Sequence, residues 1–367
     1  MKKTAICMLL CMMLCLPIIS RAETDIDALL NSMTVREKVG QLFCVQPEAL
    51  GSATKLTDAA REKLKEYPVG GLILFSDNIK SAEQVDALLA DYAGVMRIPP
   101  FFSVDEEGGS VARIANSAAY DIENVGNMAK IGKSGDPENA RQVGRTIGSY
   151  LKDIGFHLSF APVADVNTNP KNSVIGNRAF SDDPEIAAEM VAAAVEGFHE
   201  AGLACTLKHF PGHGDTAGDT HTGSASTDKT WQEMLECEII PFKAGIAAGA
   251  DAVMMAHILT PNASSDSNPA SLSPEMVTER LRGELGFDGL IITDSLKMAA
   301  VSKAYDEADV AAMAALYAGA DILLMPKNLT EAFDTMVWAI EEDILPIERV
   351  DESVRRVLEF KKEYGII

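Results

Sequence analysis

Residues 185–210 read EIAAEMVAAAVEGFHEAGLACTLKHF: a stretch of helical period, a glycine at its end, and a short apolar run that stops on Lys208 and His209. Gly202 is the residue type that closes helices, because it accepts the left-handed backbone of the cap. The run behind it is too short for a second helix and has the length and composition of a buried strand. The same strand-and-helix unit recurs on both sides. Apolar runs occur at VGQLFCV (39–45), GGLILF (70–75), PFFSVD (100–105), HLSFAPVAD (157–165), LACTLKHF (203–210), DAVMMAHI (251–258), LIITDS (290–295) and DILLMP (321–326). Between them lie AEQVDALLADYAGVM (82–96), ENARQVGRTIGSYLKDIG (138–155), EMLECEIIPFKAGIAAG (233–249), PEMVTERLRGELG (274–286) and DVAAMAALYAG (309–319), all with helical spacing. Such alternation predicts a parallel sheet. Eight runs within residues 23–367 fit one α/β domain, a (β/α)8 barrel of TIM type, better than a doubly wound sheet. No proline-rich or serine-rich linker divides that span, and the amphipathic stretch 346–365 reads as a closing helix packed on the barrel.

The chain carries 54 acidic against 32 basic residues, a formal net charge of -22. That field repels polyanions, so nucleic acid and anionic membrane surfaces are not expected partners, while a neutral glycan suits it; the excess acid also serves solubility. Residues 1–22 have the form of a signal peptide, with Lys2 and Lys3, an apolar run from Ala5 to Ile19, and small residues at Ser20 and Ala22. The apolar run is shorter than a bilayer span, so an exported protein without membrane insertion is expected, and a monomer. Past residue 22 only Cys44, Cys205 and Cys237 remain of six cysteines, with no short spacing between them. Neither a disulfide framework nor a cysteine-based zinc site follows, and Cys44 and Cys205 read as small buried hydrophobes.

In such barrels chemistry gathers at the C-terminal ends of the strands. Polar residues end several runs: Asp105, Asp165, Lys208 with His209, His257 and Asp294. Asp294 alone could simply cap the following helix. Context comes from KHFPGHGDTAGDTH (208–221), a glycine-rich loop with no apolar anchor after Phe210 and several histidines and aspartates. These could transfer protons, recognise hydroxyls or bind a metal. His209, His213, His221, Asp215 and Asp219 would suffice as ligands, but their spacing lacks the single rigid face of a helix, so no metal and no organic cofactor is expected; His213 could equally hold the loop.

The motifs SVDEEGGSVARI (103–114), GNRAF (176–180), KHFPGHGDTAGDTH (208–221) and ITDSLKM (292–298), in that order and at barrel spacing, resemble glycoside hydrolase family 3, in particular its single-domain β-N-acetylglucosaminidase branch. The resemblance implies Asp294 as nucleophile and His221 as acid/base oriented by Asp219. Asp105, Arg113, Arg178, Lys208 and His209 would bind the sugar in the innermost subsite. Glu106, Ser110 and Thr220 depart from the family's usual Gln, Arg and Ser. The implied activity is that of a retaining exo-β-N-acetylglucosaminidase acting on short wall-derived or chitin-derived glycans. The chemistry is sound: a retaining glycosidase needs one attacking carboxylate and one group that first protonates and then deprotonates, and an imidazole titrates near neutrality. A β-glucosidase, a phosphorylase using the same intermediate, and a sugar-binding protein without turnover remain alternatives.

Overall fold

The computed structural model describes residues 24–367 apart from 217, 219, 221, 222, 303, 304 and 306. The expected signal peptide (1–22) and the residues Asp219 and His221 lie outside the described residues. Each of the eight apolar runs supplies one strand: β1 (Phe43–Val45), β2 (Gly71–Leu74), β3 (Phe101–Val104), β4 (Leu158–Ser159), β5 (Ala204–Phe210), β6 (Ala252–Met255), β7 (Leu290–Thr293) and β8 (Leu323–Leu324). They form one parallel sheet in the order β7-β6-β5-β4-β3-β2-β1-β8. Ile292 bridges in parallel to Ile322, and the Thr293 amide donates to the Ile322 carbonyl at 3.0 Å, so the two ends meet in a nearly closed barrel.

The runs are apolar without alternation because both faces of the sheet are covered. Ile73, Phe160, Met254, Ile292 and Leu324 pack with one another inside the barrel, while Val45, Val104, Leu207 and Val253 belong to the larger core outside it. The closing helix is Ile347–Glu363, and its Val357 and Phe360 join the interior cluster. Phe360 meets Phe101, the first residue of β3, edge-on at 5.7 Å. The helix therefore covers the N-terminal mouth, and the C-terminal mouth is left for a site.

The helix Pro184–Ala201 starts where the Asp183 carboxylate accepts from the amides of Glu185 and Ile186, and ends at Gly202 with φ 72°. It packs against Pro137–Ile154 at close range. A Cβ on Gly144 would stand 2.2 Å from the Ala194 carbonyl oxygen, and one on Gly197 2.1 Å from that of Arg141, so only glycine permits the approach.

The stretch 233–249 departs from the single helix expected. It falls inside two pieces, Trp231–Leu235 and Ile239–Ala247. Pro241 is the physical reason: it lacks the N–H a helix interior needs, and a fresh start at Ile239 puts it in a first turn, where none is needed. The fourth run yields a continuous strand of only two residues, Leu158 and Ser159, with a separate parallel bridge from Val163 to Lys208, because Pro162 cannot donate to a ladder. Leu329–Glu341 forms a further helix that the sequence reading did not single out.

Candidate active site

The strand ends deliver their polar residues to one cavity of about 450 Å³ at the C-terminal mouth. Its wall includes Asp105, Arg113, Arg178, Lys208, His209 and Asp294, all six of the expected site residues that lie among those described. An apolar side made by Phe75, Phe160, Met254, Met298 and Met325 completes it. Polar groups converging on one flank of an apolar pocket are the usual form of a small-molecule site.

Lys208, nearly the last residue of β5, is buried, with its ammonium 2.8 Å from Asp105 Oδ1 and 2.5 Å from Glu107 Oε1. Arg178 grips the same Glu107 through two bonds, Nε to Oε2 at 2.8 Å and Nη2 to Oε1 at 2.7 Å. Burial alone would raise both carboxyls and lower the lysine. The opposite charges outweigh it, so Asp105 and Glu107 sit below their ordinary values and Lys208 above its own. Arg113 Nη2 lies 3.8 Å from Asp105 Oδ2, and its guanidinium stands over the Phe75 ring at 5.5 Å. Arg113 Nε is buried with no partner among the described residues, a donor left for something entering the cavity.

Beside this charged lattice lies a chain of oriented groups. Asp165, fully buried after β4, accepts from the amides of His213 (2.6 Å) and His209 (3.2 Å), and its Oδ2 is 2.7 Å from His209 Nδ1. Burial, then the cations Arg178 and Lys208, hold His209 well below the ordinary imidazole value, so its ring is neutral. With Nδ1–H given to Asp165, the Nε2 lone pair faces Arg178 Nη2, which donates to it at 3.4 Å. His213 is engaged at both nitrogens, by Thr216 Oγ1 at 2.7 Å and Thr220 Oγ1 at 3.3 Å. The glycine-rich loop is further tied down by Asn172, whose side chain donates to the His213 carbonyl at 2.8 Å.

Asp294, directly after β7, is half-buried, and its Oδ1 accepts from the Ser295 amide at 2.7 Å. Burial pushes its carboxyl up, but His257, the Ser295 amide and Lys208 together hold it below the usual carboxylate range. It is thus an ionised carboxylate at the cavity wall, which is what a nucleophile requires. His257, after β6, is fixed between Ser271 Oγ (2.6 Å) and the Ser295 carbonyl (3.0 Å).

The family model for the glycosyl hydrolase family 3 N-terminal domain matches residues 34–360. The chain belongs to glycosyl hydrolase family 3. Within that family it is 39% identical over 289 residues to a beta-hexosaminidase of Stenotrophomonas maltophilia, covering 77% of this chain and 84% of that protein. A solved glycoside hydrolase family 3 beta-N-acetylglucosaminidase from Paenibacillus sp. superposes with a TM-score of 0.85 at 37% identity, covering 91% of this chain and 63% of that one. The beta-N-acetylhexosaminidase of Beutenbergia cavernae superposes with a TM-score of 0.77 at 29% identity, covering 89% of this chain and 98% of that one.

This family 3 barrel also brings to the candidate site, or next to it, groups that the sequence reading did not assign. Glu107 is the chief one. Asp165 and His257 were visible as strand-end residues but had no role. Glu106, which stands where the family usually has Gln, is buried and accepts from the amides of Ile114 (2.8 Å) and Ala115 (2.9 Å) and from the Tyr150 hydroxyl (2.7 Å).

Proposed function

We propose that this chain is a retaining exo-β-N-acetylglucosaminidase that removes terminal β-linked N-acetylglucosamine from short wall-derived or chitin-derived glycans. The observation that carries the reading is an ionised Asp294 on the wall of a cavity that the Asp105–Lys208–Glu107–Arg178 lattice also lines. The barrel interior closes the cavity from below, which suits a terminal sugar rather than a running chain. Asp105 and Lys208 present an acceptor and a donor to ring hydroxyls, a strong and directional pairing. Asp294 attacks the anomeric carbon, and the departing oxygen takes its proton from His221, oriented by Asp219. The same histidine then deprotonates the water that releases the sugar, so configuration is retained. Asp105, Arg113, Arg178, Lys208 and His209 bind the sugar. The residues from 23 onward act as one exported, monomeric domain; among the described residues no helix is long and apolar enough to cross a membrane.

A panel of aryl glycosides with one chromophore, assayed with and without phosphate, tests this. Fast hydrolysis of the N-acetylglucosaminide, slow hydrolysis of the glucoside and no phosphate dependence are expected. Preference for the glucoside overturns the substrate, and phosphate-dependent formation of a sugar 1-phosphate overturns the hydrolase. Affinity for N-acetylglucosamine without turnover overturns the enzyme.

A further inference from the structure

At the other end of β5 the fold brings together three residues that the hydrolytic site does not use. Cys205 is the second residue of β5, Asp251 immediately precedes β6, and His199 lies in the last turn of the helix 184–201. One ligand atom from each, the Cys205 sulfur, a His199 ring nitrogen and an Asp251 carboxylate oxygen, lie within 4.8 Å of one another. His199 Nε2 is 3.0 Å from Asp251 Oδ2, the Cys205 amide donates to that oxygen at 2.9 Å, and the Tyr364 hydroxyl donates to Oδ1 at 2.5 Å. Cys205 is fully buried, whereas His199 keeps a third of its side-chain surface.

We propose that Cys205, His199 and Asp251 form a zinc site at the N-terminal mouth of the barrel. A thiolate, an imidazole and a carboxylate are the donor types zinc takes, and their bond lengths of about 2.0–2.3 Å put tetrahedral ligands about 3.3–3.8 Å apart. The longest separation therefore has to close by roughly 1 Å, within reach of side-chain rotation about His199. The hydrogen bonds from the Cys205 amide and Tyr364 hold the Asp251 carboxylate in place, as outer partners of a ligand do. A route in exists as well: a cavity of about 250 Å³ opens on Asp251, with Asp288, Glu359 and Glu363 around it against the single cation Arg356. A water from that cavity supplies the fourth ligand.

Without the ion, burial and Asp251 keep the Cys205 thiol protonated, and the bond to Asp251 raises the His199 imidazole. Zinc replaces the thiol proton, and the imidazolium proton where one is present; the two negative charges left on Cys205 and Asp251 balance the ion. The ion ties together the end of one helix and the starts of two strands at the barrel face where stability resides. It takes no part in hydrolysis at the opposite mouth. Cysteine spacing conceals such a site, because its donors come from three separate segments.

Cobalt(II) titration of the reduced, chelator-treated full chain tests the proposal, since only a thiolate ligand gives a sulfur-to-cobalt charge-transfer band. One equivalent should bind with that band and the intense d–d bands of four-coordinate cobalt, and zinc should displace it. The band should persist in Cys237→Ala, vanish in Cys205→Ala, and need more cobalt in His199→Gln by at least the roughly 10–100-fold that loss of a mere outer partner costs. Far-UV circular dichroism checks that each variant folds, and His199→Gln serves if Cys205→Ala does not. Zinc should also raise the melting temperature of the wild type and not that of a folded variant. Absence of a thiolate band at one equivalent, its survival in Cys205→Ala, or unchanged affinity in His199→Gln would each overturn the site.

Discussion

Glu107 is a buried carboxylate that neutralises two buried cations at once, Lys208 and Arg178, and so cannot be removed without leaving charge unpaired. Breaking such a pair costs about 3–5 kcal/mol, more than its formation contributes, because the stranded ion stays desolvated. Glu107→Gln should therefore lower the unfolding free energy by about that amount in denaturant titration and raise KM. An unchanged midpoint would show the lattice to be dispensable. Period-two alternation could have found this residue: on the extended stretch 105–107, Asp105 and Glu107 share a face and Glu106 takes the other. Asp294, Asp105 and Lys208 were legible because each ends an apolar run, whereas the double role of Glu107 depends on Arg178, 71 residues away, and no local pattern encodes that. The proposed acid/base is tested separately. His221→Ala should give a fast burst and a slow steady state with a good phenolate leaving group, fail on a natural disaccharide, and be rescued by azide, because only the second half-reaction then lacks base help. Equal losses on both substrates with no burst and no rescue would move the acid/base elsewhere.

The loop after β5 owes its shape to Asp165, whose two oxygens receive the His209 and His213 amides and the His209 ring. An asparagine there keeps one acceptor but offers an amide N–H to His209 Nδ1. The ring must then carry its proton on Nε2, against the Arg178 donor. Asp165→Asn should leave the melting temperature within a few degrees yet lower kcat/KM by about 10–100-fold, the size expected when a histidine loses the partner that orients it. Histidine side-chain 15N spectra should show the tautomer of His209 exchanged. A variant with the wild-type tautomer and rate would reduce Asp165 to a packing role. Burial pushes the Asp165 carboxyl up to about 6, against the pull of its amide donors. The sign follows: below that pH the carboxyl is protonated and acts as the asparagine does, so wild-type kcat/KM should fall as pH drops through about 6. A flat profile down to pH 5 would contradict it. At this level the sequence displayed the strands well and the helix breaks poorly, since Pro241 splits a segment whose apolar period runs on unbroken.

Across the whole barrel, the two mouths have separate tasks. The closing helix seals the N-terminal mouth with Val357 and Phe360, and the eight strands carry their polar ends to the other. Repetition made the barrel legible: eight apolar runs, each followed by a helix or a helical turn, leave few alternatives once crossovers must be right-handed. Which polar residues meet was legible only in part, because contacts across the mouth join segments up to 103 residues apart, as between Asp105 and Lys208. The proposed chemistry puts a covalent sugar on one atom of this assembly, a carboxylate oxygen of Asp294. A fluorinated N-acetylglucosaminyl fluoride, which forms that intermediate quickly and releases it slowly, can trap it for peptide mapping by mass spectrometry. The expected result is one sugar adduct per chain, on the peptide containing Asp294, and no adduct with Asp294→Ala, whose turnover falls by several orders of magnitude. An adduct on another residue, or efficient turnover with none, would contradict it.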